Sequence, residues 1–168
     1  VWKQAEERTS GLNAQLQQRI AELQTLLDVM PVGIAVAADA ECNRVRHVRH
    51  FLQGRMPTEE ANFSPNLPIE ARPAQYKLYR DGVEVPVEDL PMKVAAARGV
   101  EVLGEALDLV LGNGRVVPLC VDAAPLFDEQ GRLRGSVAAI QDITERKRVE
   151  QELEGAKEVA ESARRAKD

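Results

Sequence analysis

The sequence predicts an α+β domain: a five-stranded antiparallel sheet with short helices on one face, flanked at both ends by a long coiled-coil-like helix. Three observations carry that expectation. Residues 105–111 and 115–126 set apolar side chains at every second position, the period of half-buried strands, and glycine-containing turns separate them from each other and from a third run at 133–141. Near both termini apolar residues recur at spacings of 4 and 3, the seam of a helix that packs along one stripe. Hydrophobic residues at 44% with charged residues at 29% exclude wholesale disorder, and 168 residues leave room for one full domain plus extensions.

In chain order, residues 1–30 form the first helix, with Leu16, Ile20, Leu23, Leu27 and Met30 as its seam. Pro31 ends it, because a ring there removes a hydrogen bond and clashes with the preceding turn. The domain proper spans 31–142. Val32 to Ala37 is small and β-branched, Ala38-Asp39-Ala40-Glu41 turns, and Cys42 to Val45 gives a second short strand. Residues 46–75 hold Pro57, Pro65, Pro68 and Pro73 and predict loops and short helical turns. Tyr76 to Tyr79 and Val83 to Val87 flank Asp81-Gly82, a pair suited to a tight hairpin turn. A helix follows, with Asp89 as N-cap, Leu90 and Pro91 as its first residues and Gly99 as its stop.

Three strands close the domain. Leu107, Leu109 and Leu111 share one face of the first, and Val117, Leu119, Val121 and Ala123 share one face of the second. Pro118 predicts an edge position or a bulge. The third runs from Leu133 to Gln141, so a meander plus the first hairpin makes five strands. The last helix occupies 143–168. Asp142 with Glu145 has the spacing of a capping box, and Val149, Leu153, Ala156, Ala160 and Ala163 form a weak alanine-rich seam.

The net charge of -5 gives no global attraction to nucleic acid. Cys42 and Cys120 form no CxxC pair, which fits a reducing, cytoplasmic setting. Apolar stretches such as Val29 to Ala38 fall short of the roughly 18 residues a membrane helix needs, so no membrane contact is expected of this fragment. The chain begins with Val and ends within a helical pattern, as an excised segment would.

The order of elements, ending in Asp142-Ile143-Thr144-Glu145-Arg146-Lys147, resembles a PAS domain of bacterial signalling proteins. Leu27-Asp28-Val29-Met30-Pro31-Val32-Gly33-Ile34 at the entry, Gly114-Arg115, and Ala124-Pro125-Leu126 before Asp128 support the resemblance, which covers residues 25–148. The stretch 156–168 is similar to the segment just before the phosphorylated histidine of sensor histidine kinases. The resemblance implies a sensory module of a two-component kinase, homodimeric through its terminal helices, leading to an output domain beyond residue 168. It also implies that Asp142, Thr144 and Arg146 tie the last strand to the exit helix and relay the signal. Alternative readings are a ligand-free dimerisation spacer and a PAS regulator of a diguanylate cyclase.

Candidate chemistry is sparse. Ile34, Val36, Val94, Leu107, Leu109, Leu119 and Val121 are the candidate lining of a small-molecule pocket, with packing as the competing role of each. His47 and His50 share a face if their segment is helical, yet they belong to a basic run with Arg44, Arg46, Arg49 and Arg55 that reads better as a solvated surface. No cysteine or carboxylate completes a metal site with them. Haem is disfavoured because the helix Leu90 to Arg98 holds no histidine, where haem-binding PAS domains commonly place the ligand. Flavin is disfavoured too. Phe51-Leu52-Gln53-Gly54 resembles the LOV motif, but Arg49 stands where its reactive cysteine belongs, and aromatic content is only 4%. No catalytic triad, HExxH or phosphate-binding loop appears, so the fragment carries no expected enzyme activity.

Overall fold

A computed structural model of the chain describes residues 1–30, 32–49, 62–72 and 75–167. It divides into two compact units, Val1–Pro31 and Val32–Asp168. The first is the helix α1 (Trp2–Val29), none of whose residues is buried. Met30 leaves the helix with an extended backbone, as the residue ahead of a proline is driven to do. The seam residues Leu16, Ile20 and Leu23 are all exposed.

The second unit is an antiparallel sheet with a helix on it and a helix leaving it. Its strands are β1 (Gly33–Ala37), β2 (Val45–Arg49), β3 (Tyr76–Arg80), β4 (Val83–Glu84), β5 (Val102–Leu111), β6 (Val116–Phe127) and β7 (Leu133–Asp142). They lie in the order β2-β1-β7-β6-β5-β3-β4, so seven described strands replace the expected five. The difference is the second hairpin. Tyr76, Leu78 and their neighbours pair with Leu111 to Asp108, which extends the meander instead of standing apart from it. The Asp81-Gly82 turn forms as expected, both residues having positive φ.

The first hairpin also forms, but its second strand begins at Val45, not Cys42. The Asp39 carboxylate accepts the Asn43 and Arg44 amides at 2.9 and 3.0 Å, and Cys42 adopts a φ of 58°, so the turn extends through Arg44. The basic run is therefore strand where it is described. His47 stands in a strand and not on a helix, while His50, the other member of the expected pair, lies with residues 51–61 outside the described part of the chain.

Between the hairpins a 3₁₀ turn occupies Ile69–Ala71. Helix α2 (Pro91–Arg98) packs on β6 and β7 and ends at Gly99, whose φ of 65° is left-handed, the expected stop. Its N-cap is Leu90. Asp89 instead closes a 3₁₀ turn, Val87–Asp89, and caps nothing, because Pro91 already fixes the first helical residue.

Pro118 sits in the interior strand β6, not at an edge. Its carbonyl accepts the Ile143 amide at 3.0 Å, so its hydrogen-less nitrogen points the same way, past the end of β7. No ladder bond is missing there. Helix α3 (Thr144–Ala166) starts immediately after, with Ile143 as N-cap. The Asp142–Glu145 capping box does not form: Glu145 bonds Arg148 instead, and Asp142 is still in β7. Among the described residues no helix is long and apolar enough to cross a membrane.

Candidate functional site

The alternation of β5 and β6 places large apolar side chains on the face that α2 covers. Leu107, Leu109, Val117, Leu119 and Val121 are all buried there, as their period predicts. Leu119 stands opposite Leu107 and Val121 opposite Ile140. Between this face and α2 a cavity of about 100 Å³ remains. Leu107, Leu109, Leu119 and Val121 line it, together with Met92, Tyr76 and Phe63.

Ile34, Val36 and Val94 do not line the cavity. On β1 the inward positions are Gly33, Ala35 and Ala37, and Ala35 reaches the cavity wall. Ala35, Ala37 and Ala96 of α2 belong to one buried cluster with Cys42, Val45 and Phe63. On α2 it is Pro91 and Met92, at the start of the helix, that reach the cavity, while Val94 is half-buried elsewhere.

Sequence reasoning missed the wall contributed by the irregular segment. Phe63 and Pro65 enter the lining from there, and one arginine holds that stretch in place. Arg72 donates to the carbonyls of Pro65, Leu67 and Tyr76 at 2.8, 3.0 and 3.3 Å, and its guanidinium lies 5.6 Å from the centre of the Tyr76 ring. A second tie joins α2 to the first hairpin. Lys93 Nζ donates to the Glu41 carbonyl at 2.8 Å and to Asn66 Oδ1 at 3.1 Å. No period marks either tie: Arg72 bonds backbone carbonyls of an irregular stretch and of Tyr76, and Lys93 reaches residues distant in sequence.

The strand-to-helix joint forms the other half of the site. Asp142 Oδ1 accepts both the Thr144 amide at 2.9 Å and the Thr144 hydroxyl at 2.5 Å. This satisfies an amide that has no partner within α3. Ile143 is buried between them in sequence, donates to Pro118 and accepts from Lys147 at 2.9 Å. Asp142 and Thr144 are thus brought together. Arg146 is not: it pairs with Glu150 one turn along, at 3.1 Å, and both are exposed. The Arg148 hydrogen bond holds the exposed Glu145 carboxyl below its ordinary range.

Two groups, the half-buried Tyr76 and the buried Cys42, titrate late. Burial pushes the Tyr76 hydroxyl above its ordinary value of 10.0, against the opposing charge of Arg72. Burial likewise raises the Cys42 thiol above 9.0, against a hydrogen bond with Ser136 at 3.8 Å. Both folded values exceed the unfolded ones, so the native state keeps protons that the unfolded chain releases. Their contribution to stability is complete below the unfolded values and is lost as pH climbs through the folded ones. Urea midpoints should therefore hold level up to about pH 8 and fall above about pH 9, with the onset moved upward in Cys42→Ala. A midpoint still level at about pH 10.5 would contradict this.

Among the described residues no group of three His, Cys, Asp or Glu is placed to hold a metal ion. Residues 70–148 match the family model of the PAS fold. No curated protein matches the chain. The match takes in β3 to β7, α2 and the joint, while the cavity-lining Ala35, Val45, Phe63 and Pro65 precede it. Together with the antiparallel sheet that these strands build, it supports a PAS domain, a sensory and signalling module, in this chain.

Proposed function

We propose that this chain is the sensory module of a two-component histidine kinase, in which a change in the cavity or at a dimer contact is relayed through Asp142 and Thr144 into α3. The observation that carries the reading is the unbroken joint. Strand β6 lines the cavity with Leu119 and Val121, and its Pro118 accepts the amide of Ile143, the residue from which α3 begins. A shift of β6 against β7 is thereby felt at the first turn of the helix. Beyond the joint, Val149 and Leu153 are exposed on α3, as a seam awaiting a partner helix of a second copy would be.

The relay reading leaves Arg146 as a helix-surface residue, since its partner is Glu150. A side-chain acceptor for an orphan amide at a helix start, as Asp142 is for Thr144, contributes about 1 kcal/mol, enough to move a two-state equilibrium several-fold. Asp142→Ala in the full-length protein should therefore change autophosphorylation several-fold in either direction while lowering the unfolding free energy of the module by only about 1 kcal/mol. Unchanged output, or output lost in step with folding, would refute the relay.

A further inference from the structure

The cavity itself carries a statement about what it takes. Among the described residues its lining side chains are hydrocarbon apart from the Met92 thioether and the Tyr76 hydroxyl, and none of them bears a charge. The cations bound to the neighbouring walls are engaged. The three hydrogen bonds of Arg72 go to backbone carbonyls, and Lys93 is held by Glu41 and Asn66. A carboxylate or ammonium entering the cavity would lose its water and gain no counter-ion, a cost of several kcal/mol that excludes it. Water gains little either. It needs two to four polar partners, and dry apolar cavities of roughly 150 Å³ bind benzene or xenon instead.

We propose that this cavity takes a small uncharged apolar molecule, up to the size of one aromatic ring, packed between Leu107, Leu109 and Leu119 of the sheet and Met92 of α2. At about 100 Å³ the space admits nothing as large as haem or flavin. The Arg72 clasp holds Pro65 in the wall and the Phe63 amide, donated to the Val45 carbonyl at 2.7 Å, holds Phe63 there, so the cavity persists without an occupant. This deepens the sensory reading and rests on it only for its consequence, since occupancy can be measured apart from signalling.

The test is a titration of the chain with benzene, and separately with benzoate, followed by amide chemical shifts. Benzene should give saturable shifts at amides of β5, β6 and the first turn of α2, while benzoate gives none. Leu119→Phe, or Ala138→Val should the first variant lose its circular dichroism spectrum, should abolish the benzene response by filling the space. Absence of a saturable benzene response, or equal binding of benzoate, would overturn the proposal. If benzene fails while Asp142→Ala still shifts output in the full-length protein, the ligand class falls and the sensory reading stands. Benzene binding with an unchanged Asp142→Ala output gives the reverse.

Discussion

Gly135→Ala is expected to destabilise the domain by about 3 kcal/mol, a large share of the roughly 5–15 kcal/mol typical of a domain. A Cβ at this position would run into the carbonyl oxygen of Ala37. Its neighbour Ser136 pairs with Ala37 across β1 and β7, so the obstacle is backbone held in the sheet, which cannot rotate aside as a side chain can. The site lies beside the irregularity where Leu126 opposes Gly135 and Phe127 opposes Leu133. Relief would require β1 to part from β7. Urea denaturation should show a markedly lower midpoint with an unchanged slope. A midpoint within experimental scatter of the wild type would show that β1 can shift freely.

Leu119→Ala should cost about 3 kcal/mol, within the range of large-to-small changes in close-packed interiors. Leu119 is 3% exposed, stands opposite Leu107 on one side and Asp142 on the other, and lines the cavity. Because a space already exists beside it, truncation enlarges a void that the hydrogen-bonded strands cannot close by collapsing. Val116→Ala, at a position 55% exposed three residues earlier in the same strand, is the control and should change stability by less than about 0.5 kcal/mol. Equal effects at the two positions would mean that the described packing is wrong.

The elements legible in the sequence are those whose signals are local. Leucines two apart in β5, Asp81-Gly82 at a hairpin and Gly99 at a helix end each act within a few residues, and each forms as its chemistry dictates. The inner face of β1 was not legible. Gly33-Ile34-Ala35-Val36-Ala37 is apolar at every position, so alternation offers no choice of side. Bulk favours Ile34 and Val36, whereas the space left beside Val45, Phe63 and Ala96 is filled by the alanines. Packing decided for the alanines. The basic run misled in a related way, because a turn lengthened by Asp39 moved the strand three residues along.

Pro118 was misplaced for a reason outside its own neighbourhood. A proline in a strand suggests an edge only when a partner waits for its missing hydrogen, and here β7 has already ended at that level. In the candidate site the sheet wall was readable from periodicity. Phe63, Pro65 and the Arg72 clasp were not, since the stretch that holds them has no period and is fixed by backbone carbonyls. Asp142 and Thr144 were found through their resemblance to a known exit motif, while Glu145 was drawn into a cap that Arg148 outcompetes.

Because Pro118 offers only an acceptor at the point where the sheet gives way to the rod, its bond to the residue that starts α3 rests on one backbone proton. The amide of Ile143 supplies that proton, and its exchange with deuterated solvent reports the free energy of opening between β6 and the start of α3. One backbone resonance thus serves as a built-in gauge of how tightly the two pieces are fastened.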